Sequence, residues 1–210
     1  MITLYTWTTS NGQKASIMIE ETGLSYELHP VDLGKKAQMA PEYLKISPNH
    51  TIPAIVDHDA PGGPRTVFES GAVLIYLAEK SGIMLAGSGP QREQALSWLF
   101  WSASGLPAAH AQWRHFSQRA EPKNPAEIER TSKDILRMLN VLERRLSEAP
   151  YLAQDYSIAD IVAFTRTRNA LPEVRKVHPD KLGPTPGIDR WIAAIEARPA
   201  VKRGLALLKS

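Results

Sequence analysis

The chain has 210 residues, enough for one large or two modest hydrophobic cores, and no cysteine, which excludes disulfides, thiolate metal sites and a protein-borne thiol nucleophile. Its 25 basic and 22 acidic residues leave a net charge of +3 and a pI near 9.1, but they are interleaved, as in Glu143-Arg144-Arg145 ahead of Glu148, a solvated-helix pattern that argues against nucleic acid. No stretch approaches membrane-spanning length, and Met1 to Tyr5 alternates like a strand with no room for a signal segment, so a cytoplasmic protein is expected.

The first part of the chain alternates short strands and helices. Strands are predicted at Ile2 to Tyr5, Ser25 to Pro30, Ile52 to Asp57 and Thr66 to Phe68, with helices over about Gly12 to Glu21 and from Ser70 onward. The order is βαβ followed by ββα. The loop Tyr5-Thr6-Trp7-Thr8-Thr9-Ser10-Asn11-Gly12 follows the first strand at its carboxyl end, where α/β sheets place ligands. Thr9 and Asn11 offer hydroxyl and amide donors there. Taken alone, the same residues read first as helix caps, and only the context of the whole chain favours a ligand.

Further on, Thr51-Ile52-Pro53-Ala54-Ile55-Val56 carries a proline that has no N–H for a sheet ladder, so Pro53 belongs at a strand start. A cis Ile52–Pro53 bond is expected, which leaves the N–H and C=O of Ile52 turned outward to dock an extended peptide in strand fashion. Ser70 opens a helix with Val73, Leu74, Leu77 and Ala78 at helical spacing, Glu79-Lys80 on the wet face and Gly82 as the stop. The helix-start N–H groups and the Ser70 hydroxyl suit a carboxylate, and Glu69 beside them suits an ammonium group. One end of an amino acid fits that pair.

Gly87-Ser88-Gly89-Pro90 reads as a linker, dividing the chain into domains over 1–83 and 91–210, the second entirely helical. Its clearest start signal is Ser157-Ile158-Ala159-Asp160, a capping box with Tyr156 and Ile161 placed to staple it. His110 and His115 are five apart, off the spacing that puts two ligands on one helical face, so no metal site is expected. Phosphate loop, nucleophile elbow and dinucleotide glycine fingerprint are also lacking.

The Ile52-Pro53 edge combined with the Glu69-Ser70 helix start resembles the glutathione site of the glutathione S-transferase family. The resemblance implies an α+β thioredoxin-like N-terminal domain and an all-α C-terminal bundle, and the capping box resembles the one in the family's helical domain. Thr9-Ser10-Asn11-Gly12, Val31-Asp32-Leu33-Gly34-Lys35 and Ile46-Ser47-Pro48-Asn49 are similar to the Nu-class branch of bacteria, which has glutathione-dependent disulfide reductase activity.

By that resemblance, Thr9 and Asn11 hold the glutathione thiolate, Gln38, Ile52, Pro53, Glu69 and Ser70 bind the rest of glutathione, and Arg130 reaches the partner subunit's glutathione in a homodimer; from the residues alone, Arg130 reads equally as a helix salt bridge and Gln38 as a solvated loop side chain. A thiol of pKa ~8.5 is only a few per cent thiolate at neutral pH, and lowering it by ~2 units takes ~2.7 kcal/mol of differential stabilisation. Ser10 stands where the branch has proline, which keeps serine-type activation open. Tyr5 is the activator position of other classes, and here a structural strand tyrosine is the favoured reading. Trp98, Trp101, Trp113 and Phe116 either line a second-substrate pocket or pack a core, and Arg166 to Lys181 is expected to shape one wall of that pocket. The reaction implied is reduction of a small-molecule disulfide by bound glutathione. Conjugation to an electrophile and a non-catalytic binding module are the alternatives.

Overall fold

The computed structural model describes residues 1–208, which form two compact units: Met1–Glu93 with the chain from Glu196 onward, and Gln94–Ile195. The first unit runs β1 (Ile2–Thr6), α1 (Ser10–Thr22), β2 (Tyr26–Pro30), a 3-10 turn at Ala37–Met39, α2 (Pro41–Leu44), β3 (Ala54–Asp57), β4 (Arg65–Phe68) and α3 (Ser70–Ser81). Its sheet has the order β2-β1-β3-β4, with β1 parallel to β2 and antiparallel to β3, and β4 antiparallel to β3. This is the thioredoxin-like arrangement read from the strand order.

Differences from the sequence reading have local causes. β3 starts at Ala54 rather than Ile52, because Pro53 cannot donate to the ladder, and the register with β1 begins at the Tyr5–Ala54 pair. α1 starts at Ser10, ahead of the expected Gly12, because Thr9 already caps it. α2 was not predicted: it has four residues, begins on Pro41, and is too short for helical periodicity to register.

Ile2 and Leu4 of β1, Ile55 of β3, Met18 and Ile19 of α1, and Val73, Leu74 and Leu77 of α3 are buried in this unit. The carboxylate of Asp57 is also fully buried, and it accepts from Lys80 Nζ at 2.6 Å, Tyr76 Oη at 2.6 Å and the Asp59 N–H at 3.1 Å. Burial alone would raise its pKa, but the Lys80 and Tyr76 bonds outweigh that and hold it below the ordinary value. Lys80 is therefore an ion-pair partner for a buried acid as well as a wet-face residue. Gly82 ends α3 at φ 74, as a left-handed cap donating its N–H to the Ala78 carbonyl.

α10 (Pro199–Ala206) packs on α1 as part of the first unit. Gly204 makes this possible, since a Cβ there would lie 2.6 Å from Ile17 Cα, and two ion pairs hold the contact, Arg198–Glu21 at 2.7 Å and Arg203–Glu20 at 2.6 Å.

The second unit contains α4 (Pro90–Ser104) from Gln94 on, α5 (Leu106–Arg114) leading into a π turn at His115–Arg119, α6 (Pro125–Glu148), α7 (Ile158–Val177), α8 (Pro179–Leu182) and α9 (Pro186–Ala197) up to Ile195. α7 stays helical past Pro172, through most of the segment from Arg166 to Lys181. The capping box forms, and buried Asp160 is the hub beyond it: its carboxylate accepts from the N–H of Leu152 and of Ser157, both at 3.0 Å, from Ser157 Oγ at 3.1 Å and from Trp191 Nε1 at 2.8 Å. Glu143 accepts the Gly187 and Ile188 N–H groups at the start of α9, both at 2.9 Å. In return Arg190 donates to the Leu146 and Ala149 carbonyls at the end of α6. Among the described residues no helix is long and apolar enough to cross a membrane.

Candidate functional site

β1 delivers the chain through Trp7 and Thr8 to the start of α1. Thr9 sits in extended backbone, and its hydroxyl oxygen accepts the Gly12 N–H at 3.2 Å. That bond occupies a lone pair of the oxygen and leaves the hydroxyl proton to be donated elsewhere, so capping and donation to a ligand are compatible uses. Gly12 is required by close approach: a Cβ there would lie 2.1 Å from the Trp7 carbonyl oxygen. The Thr-x-Asn-Gly spacing thus has a steric origin in the loop folding back on its own helix.

Asn11 Oδ1 accepts from Lys14 Nζ at 3.0 Å, and the same ammonium donates to Ser70 Oγ at 3.4 Å. Lys14, only 2 % exposed, ties the beginning of α1 to the beginning of α3. The sequence reading missed it. Its signal is positional: Lys14 is three and four residues before the buried Ile17 and Met18, so it lies on the apolar face of α1.

Ser70 opens α3, and Glu69 precedes it at φ 70, ψ 125, outside the regions an L-residue adopts easily. Its carboxylate is exposed, while its carbonyl accepts the Val73 N–H at 2.9 Å. Such backbone costs on the order of 1–3 kcal/mol, and glycine would relieve it. Glu69→Gly should therefore be about 1 kcal/mol more stable to denaturant than Glu69→Ala, although both lack the carboxylate. Equal stability of the two variants would show that Glu69 is not strained.

The Ile52–Pro53 bond is cis, and Ile52 precedes β3 outside the strand register. The Ile52 side chain is anchored with Val31 and Tyr43, with Tyr5, Trp7, Leu33 and Ala37 packed against them. Immediately before it, the Thr51 carbonyl accepts from Tyr43 Oη at 2.7 Å and from the buried Ser47 Oγ at 2.8 Å. Asp32 Oδ1 accepts the Gly34 and Lys35 N–H groups at 2.9 and 3.3 Å, forming the turn that leads toward Gln38. Gln38 lies in the 3-10 turn with Oε1 buried and, among the described residues, without a hydrogen-bond partner.

Tyr5 packs its ring against His29 and Tyr43, with centroids 4.7 and 5.9 Å away. Burial, reinforced by the Glu27 carboxylate, raises its phenol pKa above the ordinary value. These surroundings favour a structural strand tyrosine. A small cavity of about 90 Å³ lies behind the loop, between Trp7, Thr8, Gln13 and Ser16 and the α10 residues Gly204 and Leu205.

Thr9, Asn11, Gln38, Ile52, Pro53, Glu69 and Ser70 all belong to the first unit, and Lys14 directly joins Asn11 to Ser70. Arg130 belongs to the second, on α6, where it is half exposed and donates to Glu127 at 2.8 Å, Asp134 at 3.4 Å and Gln112 at 3.0 Å. Trp113 is fully buried, donating to His178 Nε2 at 3.2 Å, and is a core residue, whereas Trp98, Trp101 and Phe116 remain partly exposed. His110 Nε2 faces Glu173 at 3.3 Å. Among the described residues no cluster of three metal-capable side chains occurs.

Residues 1–79 match the glutathione S-transferase N-terminal domain and residues 104–199 the glutathione S-transferase C-terminal domain. The chain is 44% identical over 219 aligned positions to the disulfide-bond oxidoreductase YfcG of Escherichia coli K12, covering 100% of this chain and 96% of that protein. It is 34% identical to the disulfide-bond oxidoreductase YghU of the same organism, over 96% of this chain and 73% of that one. Among solved structures, a glutathione transferase family member from Pseudomonas fluorescens Pf-5 with two glutathione molecules bound superposes with a TM-score of 0.89 at 40% identity, covering 97% of this chain and 92% of that chain. A glutathione transferase from Pseudomonas putida, with one glutathione disulfide per subunit, gives 0.89 at 39% identity over 97% and 90%.

Proposed function

Because the chain belongs to the glutathione S-transferase family, we propose that it is a glutathione-dependent enzyme that reduces disulfide bonds. The observation that carries this reading is the convergence of Asn11 and Ser70 on one buried ammonium in a protein that has no cysteine of its own. The sulfur must come from the ligand. Thr9 Oγ1 and the Asn11 amide donate to the glutathione sulfur, Ile52 pairs its backbone with the cysteinyl portion beside Pro53, and Ser70 and Glu69 take the carboxylate and ammonium of the γ-glutamyl end. Gln38 offers its amide to the ligand's other carboxylate.

In the reaction, the bound thiolate attacks one sulfur of the substrate disulfide; a glutathione–substrate mixed disulfide forms and the other sulfur leaves as a thiolate that takes up a proton. A second glutathione thiolate then attacks the glutathione sulfur of the mixed disulfide, releasing glutathione disulfide and the second substrate thiol. The two electrons come from two glutathione molecules, and the protein stays unmodified. We further propose a cytoplasmic homodimer in which Arg130 of each subunit grips a carboxylate of the partner's glutathione, a role that suits its half-exposed guanidinium.

Side-by-side turnover of hydroxyethyl disulfide and an aromatic halide tests the function. Faster reduction of the disulfide is expected. A preference for the halide would make conjugation the activity, and turnover of neither, with glutathione still bound, would make the protein a binding module.

A further inference from the structure

Lys14 stands outside the donor set just assigned, yet two members of that set meet through it. Its Nζ donates to Asn11 Oδ1 at 3.0 Å and to Ser70 Oγ at 3.4 Å from a side chain buried on the apolar face of α1. An ammonium group has donors only, so both contacts fix the orientation of their acceptors. Flipping the Asn11 amide would set its NH₂ against the NH₃⁺ of Lys14, so Nδ2 is held at the edge of the amide away from Nζ. At Ser70, accepting from Lys14 turns the hydroxyl proton away from Nζ.

We propose that Lys14 is a positioning residue of the glutathione site, aiming the Asn11 amide N–H at the sulfur and the Ser70 hydroxyl proton at the ligand carboxylate. This rests on the roles given above to Asn11 and Ser70. Each donor is polarised by the charge behind it, in a dry environment where such chains of hydrogen bonds strengthen one another. Lys14 thereby couples the chemical end of the ligand to its recognition end: the contact that sharpens thiolate stabilisation also sharpens binding.

Lys14→Met tests this, because methionine fills much of the same volume without the charge or the donors. Thermal unfolding establishes that the variant is folded; should it not be, Lys14→Gln takes its place. The expected result is a fall of roughly 10- to 100-fold in kcat for disulfide reduction, the span for losing a hydrogen bond to a charged group. The ultraviolet thiolate absorbance of bound glutathione should fall with it and KM for glutathione should rise. In an Asn11→Ala background, Lys14→Met should lower kcat no further than about threefold, within the scatter expected once the shared partner is gone.

A folded Lys14→Met enzyme with wild-type thiolate absorbance and turnover would overturn the proposal, as would losses that multiply fully in the double variant. These failures differ from failure of the underlying reading. If Asn11→Ala alone leaves the thiolate absorbance intact, Asn11 is not a thiolate donor, and Lys14 has no thiolate donor to aim.

Discussion

Thr9→Ala and Asn11→Ala are each expected to slow glutathione-dependent disulfide reduction by roughly 10- to 1,000-fold, the span for removing a donor that stabilises a reacting anion. The Thr9 oxygen already caps α1 through the Gly12 N–H, so Thr9→Ala carries a second, separable cost of about 1 kcal/mol in stability. Thr9→Ser separates the two effects, since serine keeps both the cap oxygen and the donor proton and should retain most of the activity. In the Asn11→Ala variant, Lys14 loses an acceptor and the loop loses its amide donor, while the cap remains. If Tyr5→Phe is the damaging change and Thr9→Ala is silent, the thiolate is stabilised as in the tyrosine classes.

Asp160→Ala is expected to lower the melting temperature by about 10 °C, corresponding to a loss of about 3–5 kcal/mol at 2–4 °C per kcal/mol for a chain of this size. The carboxylate serves four donors, from Leu152, Ser157 twice and Trp191, and the substitution strands all of them in a site that excludes water. Asp160→Asn preserves shape but brings an NH₂ among donors, so it should recover only part of the loss. A melting temperature within about 2 °C of wild type for Asp160→Ala would show that water or a rearranged loop satisfies those donors.

The legible parts of the molecule were those whose signals are local. Pro53 marks the head of β3 because it has no N–H; Val73, Leu74, Leu77 and Ala78 mark the buried stripe of α3; Ser157 and Asp160 mark the start of α7 by a spacing of three. The motif Ile46-Ser47-Pro48-Asn49 was recognised by resemblance, but only the fold shows that Ser47 and Tyr43 pin the Thr51 carbonyl next to Ile52.

What stayed hidden depends on residues far apart in sequence. The spacing of Lys14 from Ile17 and Met18 puts it on the apolar face of α1, but its partner Ser70 is shown only when α3 packs beside it. Lys80 looks wet until β3 presents Asp57. The return of α10 to the first unit turns on the absent side chain of Gly204 opposite Ile17, which no periodicity reveals. α7 runs on past Pro172, with Ala170, Leu171 and Val174 buried around it.

The most direct measurement of the central claim, that this cysteine-free chain lends its chemistry to a bound thiol, is an ultraviolet titration of glutathione thiolate on the wild-type protein. An apparent pKa ~2 units below the free value of ~8.5 is expected, with the shift shrinking in Thr9→Ala and Asn11→Ala. A bound thiol that titrates at its free value would contradict the assignment of Thr9 and Asn11, and with it the proposed mechanism.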